Sequence, residues 1–355
     1  VCLLFSGVMV ELGLFALARI YWASFHQALH AHLSALTTLF VTTGIVTAFV
    51  GAFMCYLQHN VKRLLAFSTI SHVGLMIIGI GLFAPDGLAG TAIYVLGHGM
   101  VKGGLFLVAG ILLHRFQVID VRDLHGKARR EKWTAVVFFA GALGLAGLPF
   151  SGLAMGHDLV SAAAESAGYG WTKWIFVFAG AVTAAAVLRA CGHIFFGWGP
   201  VEERDTQPKQ EEKPETHAGH DRTPATMFVP AAVLVTAGLL FGFAPSLKTV
   251  TVEAAQRFEN SSAYAAHVLD GTPMAPYVFK SSVPTDMLAS LLSVFGALAI
   301  AGLDLASARI RETSKKLAAP LRLLHKLHSG HVGDYVVFLM LGMASFGLLC
   351  AYCLR

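Results

Sequence analysis

Lys102 stands inside HGMVKGGLFLVAGILLH, residues 98 to 114, an otherwise apolar run long enough to enter a bilayer. A charge at the centre of hydrocarbon costs roughly 2.5 to 3.5 kcal/mol on insertion scales, so such side chains face the protein interior and mark ion pathways. Lys102 follows His98 by one helical turn, on the same face. Glu11 lies mid-run in another apolar stretch, His72 shares a face with Ser68, and His157 and Asp158 closely follow GLPFSG, residues 147 to 152. Proton transfer across a membrane needs titratable groups within reach of one or two waters. Burial and neighbouring charges bring lysines and carboxylates toward the range in which histidine already titrates.

Plainer readings stand beside this one. His72 fits a core histidine bonded to a nearby carbonyl. Arg189 and His193, sharing a face near the end of their span, fit side chains that snorkel to the interface. Glu165 fits a solvated carboxylate near a helix end. A haem between His72, His98, His114 and His193 is disfavoured, because Lys102 would repel ferric haem and no C-x-x-C-H is present. Neither a metal nor a cofactor is expected, and redox chemistry would fall to partners.

The elements that must hold these residues are set by composition. The 355 residues are 55% hydrophobic and 13% charged, more apolar surface than a soluble core can hide. The expected fold is therefore an all-α, polytopic transmembrane helix bundle. Nine spans are predicted, at about 1–19, 34–57, 64–83, 90–113, 133–167, 174–197, 225–245, 286–304 and 335–353. The fifth is too long for one uninterrupted helix. Pro149 within GLPFSG lacks an amide proton, so two half-helices meeting at membrane depth are expected. The chain begins with Val1 inside an apolar run, which reads as a fragment and not as a signal peptide. Five scattered cysteines imply no disulfide framework.

Basic residues orient the bundle. The even-numbered loops hold 18 Lys and Arg against 5 in the odd ones, placing the N-terminal end inside and the C-terminus outside. The net charge of +5 is thus a topology signal and not a nucleic-acid surface. Three regions are expected: a transmembrane core over 1–198, a flexible cytoplasmic loop over 199–224 that includes His217 and His220, and C-terminal helices over 225–355. In the last, residues 308 to 330 form a basic amphipathic connection suited to a neighbour or to lipid.

Four stretches carry a resemblance to a known family: FSGVMVELGLFALAR (5–19), VKRLLAFSTISHVGLM (61–76), HGMVKGGLFLVAG (98–110) and LAGLPFSGLAMGHDLV (145–160). In that order they resemble motifs of the antiporter-like membrane subunits of respiratory complex I, Mrp-type sodium/proton antiporters and membrane-bound hydrogenases. The match covers residues 5 to 195. The tail around LHKLHSGHVGDYVVFLMLG resembles the C-terminal extension of longer members. The resemblance implies two inverted five-helix repeats, of which this chain holds the last helix of the first and all of the second.

It also implies roles. Lys102 matches the central relay lysine and His98 a connecting group, while His72 and Ser68 match polar lining. Glu11 stands where the family usually has lysine or histidine, reversing the charge. His157 falls where the family has lysine or glutamate after the break; alignment on SG would choose Gly156, but only His157 titrates. The implied function is proton translocation, with sodium as the alternative ion, in a multi-subunit complex of a cell inner membrane. A scaffold subunit whose buried charges only lock an assembly is the competing reading.

Overall fold

The computed structural model describes residues 2–26, 28–200, 223–260, 266, 271, 286–306 and 332–353. Regular structure among them is helical, with a lone bridge between Asn60 and Asp120. The flexible-loop expectation for 199–224, with His217 and His220, falls almost wholly outside the described residues, as does the amphipathic connection at 308–330.

The helices are α1 (Phe5–Phe25), α2 (Leu33–Tyr56), α3 (Val61–Gly81), α4 (Pro85–Phe116), α5 (Lys132–Leu145), α6 (Gly152–Ser166), α7 (Lys173–Cys191), α8 (Ala225–Leu240), α9 (Pro245–Glu259), α10 (Met287–Ala306) and α11 (Val332–Cys353). Seven helical segments of the described residues are long and apolar enough to cross a membrane, those containing α1 to α4, α7, α8 and α10. Local chemistry sets their ends. Asn60 caps α3 by accepting the Arg63 amide at 3.2 Å. Pro85 opens α4, and Gln117 closes it in the left-handed conformation at φ 59°.

The fifth span divides as its sequence requires. Helix α5 stops at Leu145, Gly147 turns the chain at φ +76°, and Ser151 restarts it by accepting the Ala154 amide at 3.2 Å. The halves follow α4 in order: Gly141 abuts Leu105, Gly144 abuts Val101, Gly152 abuts Gly97, and Gly156 abuts Tyr94. A Cβ on Gly156 would lie 2.6 Å from the Tyr94 amide nitrogen, so glycine permits the close approach. Together α5 and α6 make one crossing.

Two features depart from the sequence reading. An amphipathic helix, α9, occupies a stretch read as loop and packs on α4. Its polar residues keep it below the hydrophobicity of a span. Arg189, expected to snorkel, is bound inward: it donates to Asp304 at 3.2 Å and to the Tyr56 carbonyl at 2.6 Å, with its guanidinium 4.6 Å from the Tyr56 ring centroid. Asp304 is only 3% exposed, so the pair locks α7 to α10. Glu165 is exposed, as a solvated carboxylate should be.

Candidate functional site: a buried polar chain at mid-membrane

Lys102 is the eighteenth of the 32 residues of α4, which leaves its Cα roughly 20 Å or more of helix from either end. It is fully buried. Its ammonium donates to the Leu65 carbonyl at 2.7 Å and makes a short contact with Ser68 Oγ, both on α3. Ser68 in turn donates to Leu65 O at 2.9 Å. The i, i+3 spacing of 65 and 68 puts both acceptors on the face that meets α4.

One turn earlier, His98 Nδ1 lies 3.2 Å from Glu11 Oε1 on α1. Both side chains are buried, and Glu11 Oε2 and His98 Nε2 have no partner among the described residues. A hydroxyl pair, Ser6 with Thr69 at 2.6 Å, ties α1 to α3 close by. The His98 ring is 5.0 Å from that of His72, tilted by 33°.

His72 is bonded at both nitrogens. Nδ1 faces Tyr94 Oη at 2.7 Å and Nε2 faces Thr183 Oγ1 at 3.2 Å. Because the Thr183 hydroxyl donates to Ala179 O at 2.7 Å, it is free to accept, which assigns the proton to Nε2 and makes Tyr94 the donor to Nδ1. Tyr94 and Thr183 are the site residues that sequence reasoning missed. Tyr94 had a signal: with His98 and Lys102 it forms an i, i+4, i+8 stripe on α4. Thr183, alone in an alanine-rich run, had none.

Beyond Tyr94 the site opens on the helix break. Phe176 packs edge-on against Tyr94 at 5.9 Å and lies flat on His157 at 4.7 Å and 12°. His157 and Asp158 are buried, and His157 Nε2 and Asp158 Oδ1 lack partners among the described residues. Asp158 is within electrostatic range of Asp286 and Lys248. At this end of the site α9 adds Glu259, whose carboxyl is pushed up to about 8 by burial and by the nearby charge of Asp86. Lys248 on the same helix is shifted down by its burial, against the charges of Asp158 and Asp86. Of the sequence-predicted residues, Lys102 with Ser68 and Glu11 with His98 and His72 are brought into contact, while His157 and Asp158 join them across Tyr94 and Phe176. No group of three or more potential metal ligands occurs among the described residues.

The arrangement matches a known architecture. The model for "NADH:quinone oxidoreductase/Mrp antiporter, TM" matches residues 1–184, more than half of the chain. The chain belongs to this family. It is 28% identical over 279 residues to a Na(+)/H(+) antiporter subunit of Alkalihalophilus pseudofirmus, covering 78% of this chain and 51% of that protein. It is also 28% identical over 259 residues to NAD(P)H-quinone oxidoreductase chain 4 1 of a Picosynechococcus species, covering 71% of this chain and 46% of that one. The chain thus spans about half the length of these relatives. Among solved structures, the Mrp complex from Dietzia sp. shares the fold at a TM-score of 0.62 and 24% identity, over 75% of this chain and 55% of that one. An archaeal membrane-bound sulfane sulfur reductase complex does so at 0.59 and 22%, over 75% and 51%. This chain is a polytopic membrane protein of that family, and its structural neighbours are parts of multi-subunit membrane complexes.

Proposed function

We propose that this chain is the proton-translocating part of an antiporter-like subunit, relaying protons along Glu11, His98, His72, Lys102 and His157. One observation carries the reading: titratable side chains of three helices meet in the protein interior, and Glu11 Oε2, His98 Nε2 and His157 Nε2 remain unpartnered among the described residues. Groups held this way can exchange protons through one intervening water. Lys102 is the central store, Ser68 accepts its hydrogen bond, and Tyr94 and Thr183 fix the imidazole between His98 and the break. Asp158 passes the proton outward from His157.

The proton is the ion this array suits, and sodium, named for the Alkalihalophilus relative, is the alternative coupling ion. Residues 1–198 act as the translocating core, against which α8 packs through α4 and α10 through α7. The chain sits in a cell inner membrane with its N-terminal end inside and its C-terminus outside, among other membrane subunits that supply any redox chemistry.

A scaffold reading has one observation in its favour: the bonds of Lys102 to Leu65 and Ser68 join α3 to α4, as a structural lock would. Proton uptake by proteoliposomes carrying the intact complex separates the two. Lys102→Ala with normal assembly and lost uptake supports the relay, and normal uptake supports the lock.

A further inference from the structure

The broken helix leaves oxygen atoms that the relay does not use. Pro149 has no N–H to give the Leu145 carbonyl four residues back. The amides of the turn go elsewhere: Gly147 to Gly144, Leu148 to Leu143 and Ser151 to Leu148. Among the described residues no amide therefore reaches the carbonyls of Leu145 and Ala146, at the C-terminal, negative end of α5. Facing them across α7 is α10, which lies beyond the family match and contributes Ser293 and Ser290. These serines are 3% and 2% exposed, and both hydroxyls are unpartnered among the described residues.

The oxygens converge where α7 carries no side chain. The position of a Cβ on Gly180 lies 2.9 Å from Ser293 Oγ, 3.4 Å from Ala146 O and 3.5 Å from Leu145 O. The adjoining cavity, about 20 Å³, is lined also by His157 and is large enough for one water-sized occupant.

We infer that this pocket binds a small monovalent cation. Its ligands are neutral oxygens, two carbonyls and two hydroxyls, the set that suits a hard ion of low charge. An unwound half-helix end supplies the negative pole, as at ion sites built from discontinuous membrane helices. The ion would stand beside His157, so that its binding and the charge on that imidazole oppose each other. The site deepens the ion-transport reading and rests on it, and it gives α10 a role in the pathway.

The test is radioactive sodium binding to the purified, assembled complex. Saturable binding is expected, weakened by roughly tenfold or more in Ser293→Ala, which removes one ligand, and in Gly180→Ala, which fills the cradle. Gly296→Ala, at the same α7–α10 interface but in ordinary contact at 3.4 Å with Ala181, should bind as wild type. Binding unchanged in both pocket variants overturns the site, and so does a wild type with no saturable binding, whose cavity then holds water alone. Proton uptake is followed in parallel with Lys102→Ala: its persistence counts against the relay, whereas sodium binding in that variant is expected to be intact.

Discussion

The Glu11 carboxylate and the His98 imidazole meet at 3.2 Å across 87 residues of chain, both buried. Neutralising the carboxylate while keeping its shape isolates what its charge does. Glu11→Gln is expected to lower proton uptake by roughly two to four orders of magnitude, the range for a lost acid–base partner, with assembly retained. Stopped-flow dye quenching in proteoliposomes checks it; uptake at the wild-type rate removes Glu11 from the pathway.

The two hydroxyls on His72 hold its tautomer. Tyr94→Phe keeps the packing of the ring on Phe176 and deletes one buried donor, so a stability loss of about 1 to 3 kcal/mol is expected together with slower uptake. Thr183→Val should act similarly from the other nitrogen. Thermal unfolding of the complex and uptake rates are the measurements, and a loss of stability without any loss of rate would make His72 structural.

Arg189 and Asp304 should affect folding and not transport. Removing the arginine alone leaves a buried carboxylate unpaired, which costs roughly 3 to 5 kcal/mol, whereas replacing both with leucine is expected to restore much of the loss. Uptake per assembled complex is expected to be unchanged in the double variant. A double variant as unstable as the single one would show that the ion pair is not the lock.

Glu259 makes the docking of α9 depend on pH. Its carboxyl sits near 8 in the fold, raised by burial and by Asp86, against an ordinary value of 4.5, so the folded state holds the proton more tightly. The stability this gives is complete below 4.5 and is lost as pH rises through about 8. Amide protection over 245–259, measured relative to the intrinsic exchange rate at each pH, should fall across that window, and Glu259→Gln should flatten the fall. A pH response unaltered by the substitution would assign it to another group.

The positions of Lys102, His98, His72 and Ser68 were legible because charge and imidazole in an apolar run violate composition, and helical spacing says which share a face. The break at 146–151 was legible from proline and flanking glycines. Partnerships across helices were not: nothing in the sequence pairs Arg189 with Asp304, 115 residues away. Thr183, Ser290 and Ser293 were hidden for a different reason. A lone hydroxyl on a membrane helix can bond its own backbone and looks like any small lipid-facing residue, so only packing reveals where it points. Helix α9 escaped because its polar residues resemble a loop unless its docking partner is known.

Lys102 is the group through which the proposed relay must pass. In the assembled complex reconstituted in proteoliposomes, Lys102→Ala is expected to cut proton uptake by on the order of a hundredfold or more while subunit composition is unchanged. Uptake at the wild-type rate from an equally intact Lys102→Ala complex would contradict the relay.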